Sequence, residues 1–196
     1  MRQKLLTAWQ LHRSGKLDSA RIIYREILDA VPGHPDANNL MGLACIQAGS
    51  SKDAVFHIRR ALEAEPRNPQ SHYNLAIARK DLGDWPAARQ GFMRACRLEP
   101  GNVEFLSSLG NAQRLCDQPA EAVQTLEKAR HLAPRHAGVR QNLALALNDL
   151  GAMRNREGRP EQALFCFKQA IEHDPSHAQA HLNLGISLEQ ACLLYT

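Results

Sequence analysis

The sequence predicts an all-α protein made of repeated pairs of antiparallel helices, and three periodic features carry that prediction. Pro32, Pro66, Pro100 and Pro134 are separated by the same number of residues, and Pro175 follows Pro134 after a larger number. Small residues and large apolar residues recur with the same spacing as the prolines. The composition, 44% hydrophobic and 22% charged, is that of a folded chain and not of a disordered one.

Small residues recur at two places in each unit, and a large apolar residue stands between them. The first small series is Ala20, Ala54, Ala88, Ala122 and Ala163, and the second is Ile27, Ala61, Ala95, Ala129 and Ala170. The large apolar residues are Tyr24, Ile58, Phe92, Leu126 and Phe167. Small residues let helix backbones approach closely, and the large residue fills the space that remains between the helices.

Each unit is therefore predicted to contain two amphipathic helices joined by a tight turn. A left-handed residue ends the first helix of each pair, and it is a glycine in the first three units and Asp117 in the fourth. Each second helix ends before a proline, because proline has no amide hydrogen with which to continue a helix. Helix starts are marked by Asn68 as a cap and by Pro69, Pro86, Pro119 and Pro160 in first turns.

This pattern resembles the tetratricopeptide repeat, a 34-residue unit with a small residue at position 8, Ala at 20, an apolar residue at 24, Ala at 27 and Pro at 32. The resemblance implies a single right-handed superhelical solenoid over residues 1–196. Its repeats are 1–34, 35–68, 69–102, 103–136 and 137–177, followed by 178–196 as the terminal helix of an incomplete sixth repeat.

The fifth repeat contains seven extra residues near 151–157, and both Gly151 and Gly158 suit its turn. We expect the first helix to overrun Gly151 by about one turn, after which the chain returns in an extended form through Gly158. The result is a protruding turn that carries Arg154, Arg156 and Arg159 against Glu157. A tolerated surface insertion and a basic accessory contact are the two interpretations of this turn.

In the resembled family the first helix of each pair lines a concave surface, which implies a site for an extended peptide. The predicted peptide-binding residues are Asn39, Tyr73, Asn74, Lys80, Asp81, Asn111, Arg114, Gln141, Asn142, Asn148 and Asn183. Trp9 is predicted to lie on the same surface. Amides prevail because one side-chain amide can both donate to and accept from a peptide backbone. Alternatively, these asparagines satisfy neighbouring helices of the same chain.

The resemblance implies a protein-interaction scaffold that binds a protein or peptide partner. An alternative is the N-terminal, substrate-recruiting arm of a larger glycosyltransferase or sulfotransferase, because bacterial proteins of that kind look similar and O-linked N-acetylglucosamine transferases carry asparagines at the position of Asn74, Asn142 and Asn183. The apolar Leu193, Leu194 and Tyr195 stand where a stack of repeats needs a polar cap, so either Ala178–Leu194 serves as the capping helix or the chain is a piece of such a transferase. A third hypothesis is self-association through the C-terminal helix, in which exposed apolar ends stack repeat on repeat between molecules.

Other function classes lack their signals. No phosphate-binding loop, zincin, nucleophile-elbow or dinucleotide motif occurs, so we expect no enzyme and no cofactor. The net charge of +4 is spread over mixed charges, which argues against nucleic acid, and the longest apolar run is too short to cross a membrane. His173, His177 and His181 are interrupted by Pro175, so surface or capping roles are expected instead of a metal site.

The five cysteines include no CxxC pair, and their number is odd. Reduced thiols in a cytoplasmic protein explain this better than a disulfide framework does.

Overall fold

A computed structural model describes the backbone of residues 1–194 and the side chains of residues 1–190. The side chains of Leu193, Leu194 and Tyr195, to which the sequence assigns an apolar end, lie outside the described residues. Over residues 1–194 the chain is helical with connecting turns and contains no strand, so the predicted all-α fold is confirmed.

Two compact units contain these helices, and each is built from antiparallel pairs. The first unit, Met1–Glu99, contains α1 (Arg2–Arg13), α2 (Leu17–Ala30), α3 (Pro35–Gln47), α4 (Ser51–Ala64), α5 (Pro69–Asp81) and α6 (Trp85–Leu98). The second unit, Pro100–Thr196, contains α7 (Val103–Leu115), α8 (Pro119–Leu132), α9 (Ala137–Arg156), α10 (Pro160–His173) and α11 (Ala178–Leu194). We call the odd-numbered helices first helices and the even-numbered helices second helices.

Left-handed residues end the first helices where the sequence predicts them. Gly15, Gly49 and Gly83 have φ angles of 75–78°, and Asp117 adopts φ 58° in the fourth turn. The side chain of Asn68 caps α5 by accepting a hydrogen bond from the Ser71 amide at 2.9 Å. These caps use backbone groups that would otherwise lack partners at the helix ends, and so they fix the length of each helix.

The core depends on close contact between position 8 of a first helix and position 24 of the paired second helix. The position-24 residues are all buried: Tyr24, Ile58, Phe92, Leu126 and Phe167. Glycine occupies position 8 in several pairs, and a Cβ there would collide with the position-24 side chain. Such contacts join Gly42 to Ile58, Gly110 to Leu126 and Gly151 to Phe167, always at the same separation along the chain.

Helix α9 corrects the prediction for the seven extra residues. The turn residue is Gly158, with φ 71°, whereas Gly151 is buried within the helix against Phe167. No extended return exists, because α9 continues as a regular helix to Arg156. Seven residues make almost two helical turns, so a helix can absorb all of them and still present nearly the same faces.

The N-terminal half of α9 and its C-terminal half consequently pack in two different repeat registers. Leu143 and Ala144 share a core cluster with Leu126 of α8, in the register that counts Ala144 as position 8. Gly151 takes position 8 against α10, in a register shifted by seven residues. The extra residues thus lengthen a first helix, whereas α10 keeps the 14-residue length of the other second helices.

A buried histidine links the first two pairs of the first unit. The Nε2 of His12 lies 2.9 Å from the Oε1 of Gln47, and its Nδ1 lies 3.3 Å from the hydroxyl of Tyr24. Because an amide oxygen only accepts, Nε2 carries the proton and Nδ1 accepts from Tyr24 in the neutral ring. Burial lowers the pKa of His12, an effect that the hydrogen bond to Gln47 partly opposes. Burial also raises the pKa of Tyr24 to about 12.

The glycine contacts lead to a test with two matched variants. A Cβ at Gly151 would lie 2.5 Å from Cε1 of Phe167, whereas a Cβ at Gly185, the position-8 residue of α11, would meet nothing within 4 Å. Gly151→Ala should lower the free energy of unfolding by about 1–3 kcal/mol, because the added methyl group overpacks the core. Gly185→Ala should raise the free energy of unfolding by up to about 1 kcal/mol, because alanine has the higher helix propensity. Urea denaturation of both variants measures the difference, and equal effects would contradict the assigned contact.

Three histidines that are buried or half-buried predict how stability changes with pH. Burial is the largest cause that lowers the pKa values of His12, His57 and His173 below the ordinary 6.5. As the pH falls below that value, the unfolded chain binds protons that the folded chain does not, so the free energy of unfolding decreases. The melting temperature should fall between neutral and mildly acidic pH, and His12→Gln should make that fall shallower. An unchanged pH dependence in His12→Gln would rule out this role for His12.

Candidate peptide-binding surface

Side-chain hydrogen bonds join adjacent first helices at equivalent positions, and the described residues form one in the first unit and two in the second. In the first unit, the Nδ2 of Asn74 donates to the Oδ1 of Asn39 at 3.1 Å. In the second unit, Asn142 donates to the hydroxyl of Ser107 at 3.0 Å, and Asn183 donates to the Oδ1 of Asn148 at 2.8 Å. Each bond spans 35 residues, from position 6 of one first helix to position 5 of the preceding one. We call this set the amide ladder.

The amide ladder uses up much of the hydrogen-bonding capacity that the sequence assigns to a peptide. Asn74 is only 2% exposed, and its Oδ1 accepts from the Nε2 of Gln70 at 3.0 Å. Asn183 likewise accepts from Gln179 at 2.9 Å, and Asn148 is buried. This geometry matches the alternative interpretation in which the asparagines satisfy neighbouring helices of the same chain.

Helix α9 contributes to the ladder twice because of its two registers. Asn142 stands at position 6 of the first register and bonds backward to Ser107 of α7. Asn148 stands at position 5 of the shifted register and receives Asn183 of α11. One long helix therefore continues the ladder on both sides, although six residues separate its two members.

Tyr73 lies in the core, so the expectation that it is exposed is wrong. Its side chain is only 6% exposed, and its ring packs against Phe92 with ring centroids 5.4 Å apart. An aromatic ring gains more from burial against a second ring than from exposure on a helix surface. The sequence shows the register of Tyr73 but not this cross-helix contact.

The remaining predicted residues lie on or near the first-helix surface. Arg114 donates to Asp149 at 3.0 Å and to Asn111 at 3.2 Å, and Lys80 lies 3.3 Å from Asp81. Gln141 is exposed and lines a cavity of about 300 Å³ beside Pro175. These charged and amide groups pair with one another and still reach solvent.

A cavity between α1 and α3 combines apolar and polar groups in the first unit. It has a volume of about 220 Å³ and is lined by Leu5, Leu6, Trp9, Asp36, Asn39 and Leu40. We call it the Trp9 cavity. The amide ladder orients Asn39 here, since its Oδ1 accepts from Asn74 while its Nδ2 has no hydrogen-bond partner among the described residues. The cavity offers an apolar wall, an amide donor and a carboxylate acceptor.

A second first-helix cavity lies between α9 and α11 in the second unit. It has a volume of about 200 Å³ and is lined by Ala152, Asn155, Arg156, Phe167, Asn183, Ile186 and Ser187. We call it the Ile186 cavity. Neither Ile186 nor Asn155 belongs to the residues predicted from the sequence. Ile186 stands at position 9 of α11, the same position as Trp9 in α1, so the repeat register was the signal that could have identified it.

The three arginines of the predicted basic turn have different surroundings. Arg154 and Arg159 both approach the carboxylate of Glu157, at 2.8 Å and 3.3 Å. Arg156 lines the Ile186 cavity together with Asn183. Arg154 and Arg156 lie in the last turn of α9, whereas Arg159 follows the turn as the N-cap residue of α10.

Cysteine and histidine side chains carry no sign of reactive chemistry in the described part of the chain. Burial raises the pKa of Cys96 to about 11 and also raises the pKa values of Cys45 and Cys166, so these groups stay as thiols. Among residues 1–190, no group of three or more histidine, cysteine or acidic side chains is arranged to hold a metal ion. Likewise, none of the described helices has the length and apolarity needed to cross a membrane.

Three profiles of the same family, described as tetratricopeptide repeat, match residues 5–69, 57–90 and 144–177. Together they cover more than half of the chain. The third match begins at Ala144 and so makes Gly151 the eighth residue of its repeat, in agreement with the contact between Gly151 and Phe167.

The chain is also similar to individual proteins. The human interferon-induced protein with tetratricopeptide repeats 2 is 24% identical over 91% of this chain, which spans 40% of that protein. The SPINDLY protein of Hordeum vulgare, a probable UDP-N-acetylglucosamine–peptide N-acetylglucosaminyltransferase, is 30% identical over 48% of this chain and 10% of its own length. The chain thus spans well under half of either relative.

Among solved structures, YrrB, a tetratricopeptide-repeat protein with an unusual peptide-binding site, superposes with a TM-score of 0.74. The match covers 90% of this chain and 88% of YrrB, at 21% identity. The helix pairs, the position-8 contacts, the profile matches and this structural likeness agree, and the chain belongs to the tetratricopeptide-repeat proteins.

Proposed function

We propose that this protein is an interaction scaffold whose first helices bind an extended peptide, with the Trp9 cavity as the principal contact. The observation that carries this proposal is the combination in one cavity of Trp9, Asn39 and Asp36 with the exposed side chain of Leu6. An apolar side chain of the peptide enters between Trp9 and Leu6. The peptide backbone donates to Asp36 and accepts from the Nδ2 of Asn39.

The amide ladder supports this site without itself forming the contact. Because Asn74 holds the Oδ1 of Asn39, the amide plane of Asn39 is fixed before a ligand arrives. A group that is already oriented loses less conformational entropy on binding. In this proposal Asn74, Asn142, Asn148 and Asn183 position first helices, while Asn39 contacts the ligand.

The Ile186 cavity offers the second unit a contact of related chemistry. It presents an isoleucine, an arginine and the Oδ1 of Asn155, whose Nδ2 donates to the hydroxyl of Ser187 at 2.8 Å. The predicted residues Asn111, Arg114 and Gln141 belong to the same unit and supply further polar groups. We propose that this cavity binds a separate part of the partner, with Arg156 as its basic contact.

We further propose that the chain acts without catalysis, in a reducing compartment such as the cytoplasm. Cys45, Cys96, Cys116 and Cys166 are free thiols, as in proteins of such compartments. No observation on the described residues favours the transferase-arm alternative, since the likeness to SPINDLY covers 48% of this chain and only 10% of that protein. The scaffold is therefore the function that the geometry supports best.

Self-association through α11 is a second proposal, and it rests on an uncovered stripe of that helix. In α3 the residues at positions 4, 8 and 11 are buried beside the paired second helix. The equivalent residues of α11 are His181, Gly185 and Leu188, which are exposed, and no atom of the described residues lies within 4 Å of a Cβ placed at Gly185. We propose that a second copy of the chain covers this stripe, with its Leu188 against Gly185.

The peptide proposal is tested by selecting peptides from a random displayed library and measuring their affinity for purified variants. Trp9→Ala combined with Asn39→Ala should weaken the selected peptides at least tenfold, which corresponds to about 1.4 kcal/mol. Phe165→Ala is the matched control, because Phe165 is an exposed aromatic residue on the second helix α10. Selected peptides that bind the double variant as tightly as the parent protein would contradict the proposal.

Self-association is tested by analytical ultracentrifugation over a wide range of concentrations. Leu188→Glu should convert a dimer into a monomer, because a buried carboxylate without a partner disfavours the interface. Leu182→Glu serves as the control, since Leu182 is an exposed apolar residue of α11 outside the stripe. A parent protein that stays monomeric at every concentration would refute this proposal.

A further inference from the structure

Two cavities of the first unit lie between successive second helices, away from the first-helix contacts described above. The larger, about 620 Å³, lies between α2 and α4, with Met41 and Cys45 of α3 in its lining. The smaller, about 340 Å³, lies between α4 and α6, with His72 and Leu75 of α5 in its lining. We call them the α2–α4 cavity and the α4–α6 cavity.

The two cavities are copies of one another, displaced along the chain by one repeat. Arg25 and Arg60 line the first, and Arg59 and Arg94 stand at the equivalent positions of the second. The other equivalent lining pairs are Leu28 and Leu62, Asp29 and Glu63, Pro32 and Pro66, and Met41 and Leu75. The two cavities therefore share a pair of arginines, one carboxylate and an apolar lining from the core.

The four arginines have no ionic partner in the described part of the chain. None of their guanidinium groups lies within 4.0 Å of a carboxylate in the described residues. Arg60 instead lies over the ring of Phe56, 5.8 Å from its centroid, and that ring is 57% exposed. Paired guanidinium groups beside an apolar lining bind carboxylates well, because the fork of N–H donors matches two carboxylate oxygens.

Arg21 adds a third cation to the α2–α4 cavity. Its Nε is buried and has no hydrogen-bond partner, and its nearest carboxylate, that of Asp18, lies 4.0 Å away. A buried donor without an acceptor is uncommon in folded proteins, because it costs free energy relative to the unfolded chain. An acceptor supplied by a ligand would remove this cost.

We propose that the α2–α4 and α4–α6 cavities bind an acidic peptide segment, with a carboxylate side chain held by the two arginines of each cavity. Asp29 and Glu63 accept hydrogen bonds from the backbone amides of the same peptide. This surface is separate from the Trp9 cavity, so the proposal does not depend on peptide binding by the first helices.

The acidic groups of the lining favour a peptide over a nucleic acid. Asp29, Asp53 and Glu63 lie among the arginines. A phosphate backbone offers only negative charge to them and is repelled, whereas a peptide offers amide donors as well as carboxylates. The net positive charge of Met1–Glu99, which contains 15 basic and 10 acidic residues, favours an acidic ligand, and the carboxylates of the lining distinguish the peptide from the nucleic acid.

The second unit lacks this feature at the equivalent positions of its helices. Position 25 of α8 is Glu127, which pairs with Arg130 at 2.7 Å, and position 26 of α10 is Gln169. The arginine pair is therefore a property of the first unit and not a general consequence of the repeat.

The test measures the fluorescence anisotropy of a labelled peptide of alternating glutamate and glycine with the full chain. Arg25→Glu combined with Arg60→Glu should weaken binding at least tenfold, and so should Arg59→Glu combined with Arg94→Glu. The matched control is Arg13→Glu combined with Arg67→Glu, which makes the same change of charge at exposed residues that line neither cavity. Circular dichroism verifies that each variant is folded.

A second comparison uses the unaltered protein and so does not depend on the folding of variants. Replacing glutamate by glutamine in the peptide should abolish binding, and added salt should weaken binding of the glutamate peptide. The proposal is overturned if the glutamine peptide binds equally well, if the control variant loses as much affinity, or if a short single-stranded RNA binds more tightly than the glutamate peptide. Trp9→Ala should leave this affinity unchanged, which separates this surface from the first-helix site.

Discussion

The architecture depends on one steric constraint, the contact between a small residue at position 8 and the large side chain at position 24 of the same register. Gly42, Gly110 and Gly151 leave no room for a Cβ beside Ile58, Leu126 and Phe167. Such contact requires the two helix axes to come close, and the intervening turn must then reverse the chain in few residues. The left-handed turn residue follows from that requirement, because it reverses the chain. The length of each second helix follows as well, because the position-24 side chain must reach the position-8 residue.

Helix α9 shows what this constraint permits. A heptad falls only about 20° short of two full turns, so seven added residues leave the packing faces almost where they were. An insertion of five residues would have turned those faces well away from their partners. The lengthened helix therefore keeps Leu143 and Ala144 against α8 while bringing Gly151 to Phe167. Its two ladder residues, Asn142 and Asn148, follow the same rule.

Periodicity predicted the helix pairs, the buried position-24 residues and the left-handed Asp117, because each is set by contacts within one repeat. It failed where two local solutions were equally good. Gly151 and Gly158 both suit the turn of the fifth repeat, and only the positive φ of Gly158 and the contact of Gly151 with Phe167 separate them. The surface residues were more difficult to predict than the core. The repeat register places Asn74 on a first helix, but it does not show that Asn74 is hydrogen-bonded to Asn39 and Gln70. Tyr73 was misassigned for the same reason, since its burial depends on Phe92 in another helix.

The recurrence of Arg25 and Arg60 as Arg59 and Arg94 has a consequence for how such a protein can change its affinity. A repeat that carries its own binding residues makes valency a matter of repeat number. When one ligand occupies two linked sites, the second contact forms at a high effective concentration, so avidity exceeds the affinity of either site alone. Gain or loss of a single repeat would then alter binding strength in a large step, with no change in any individual contact.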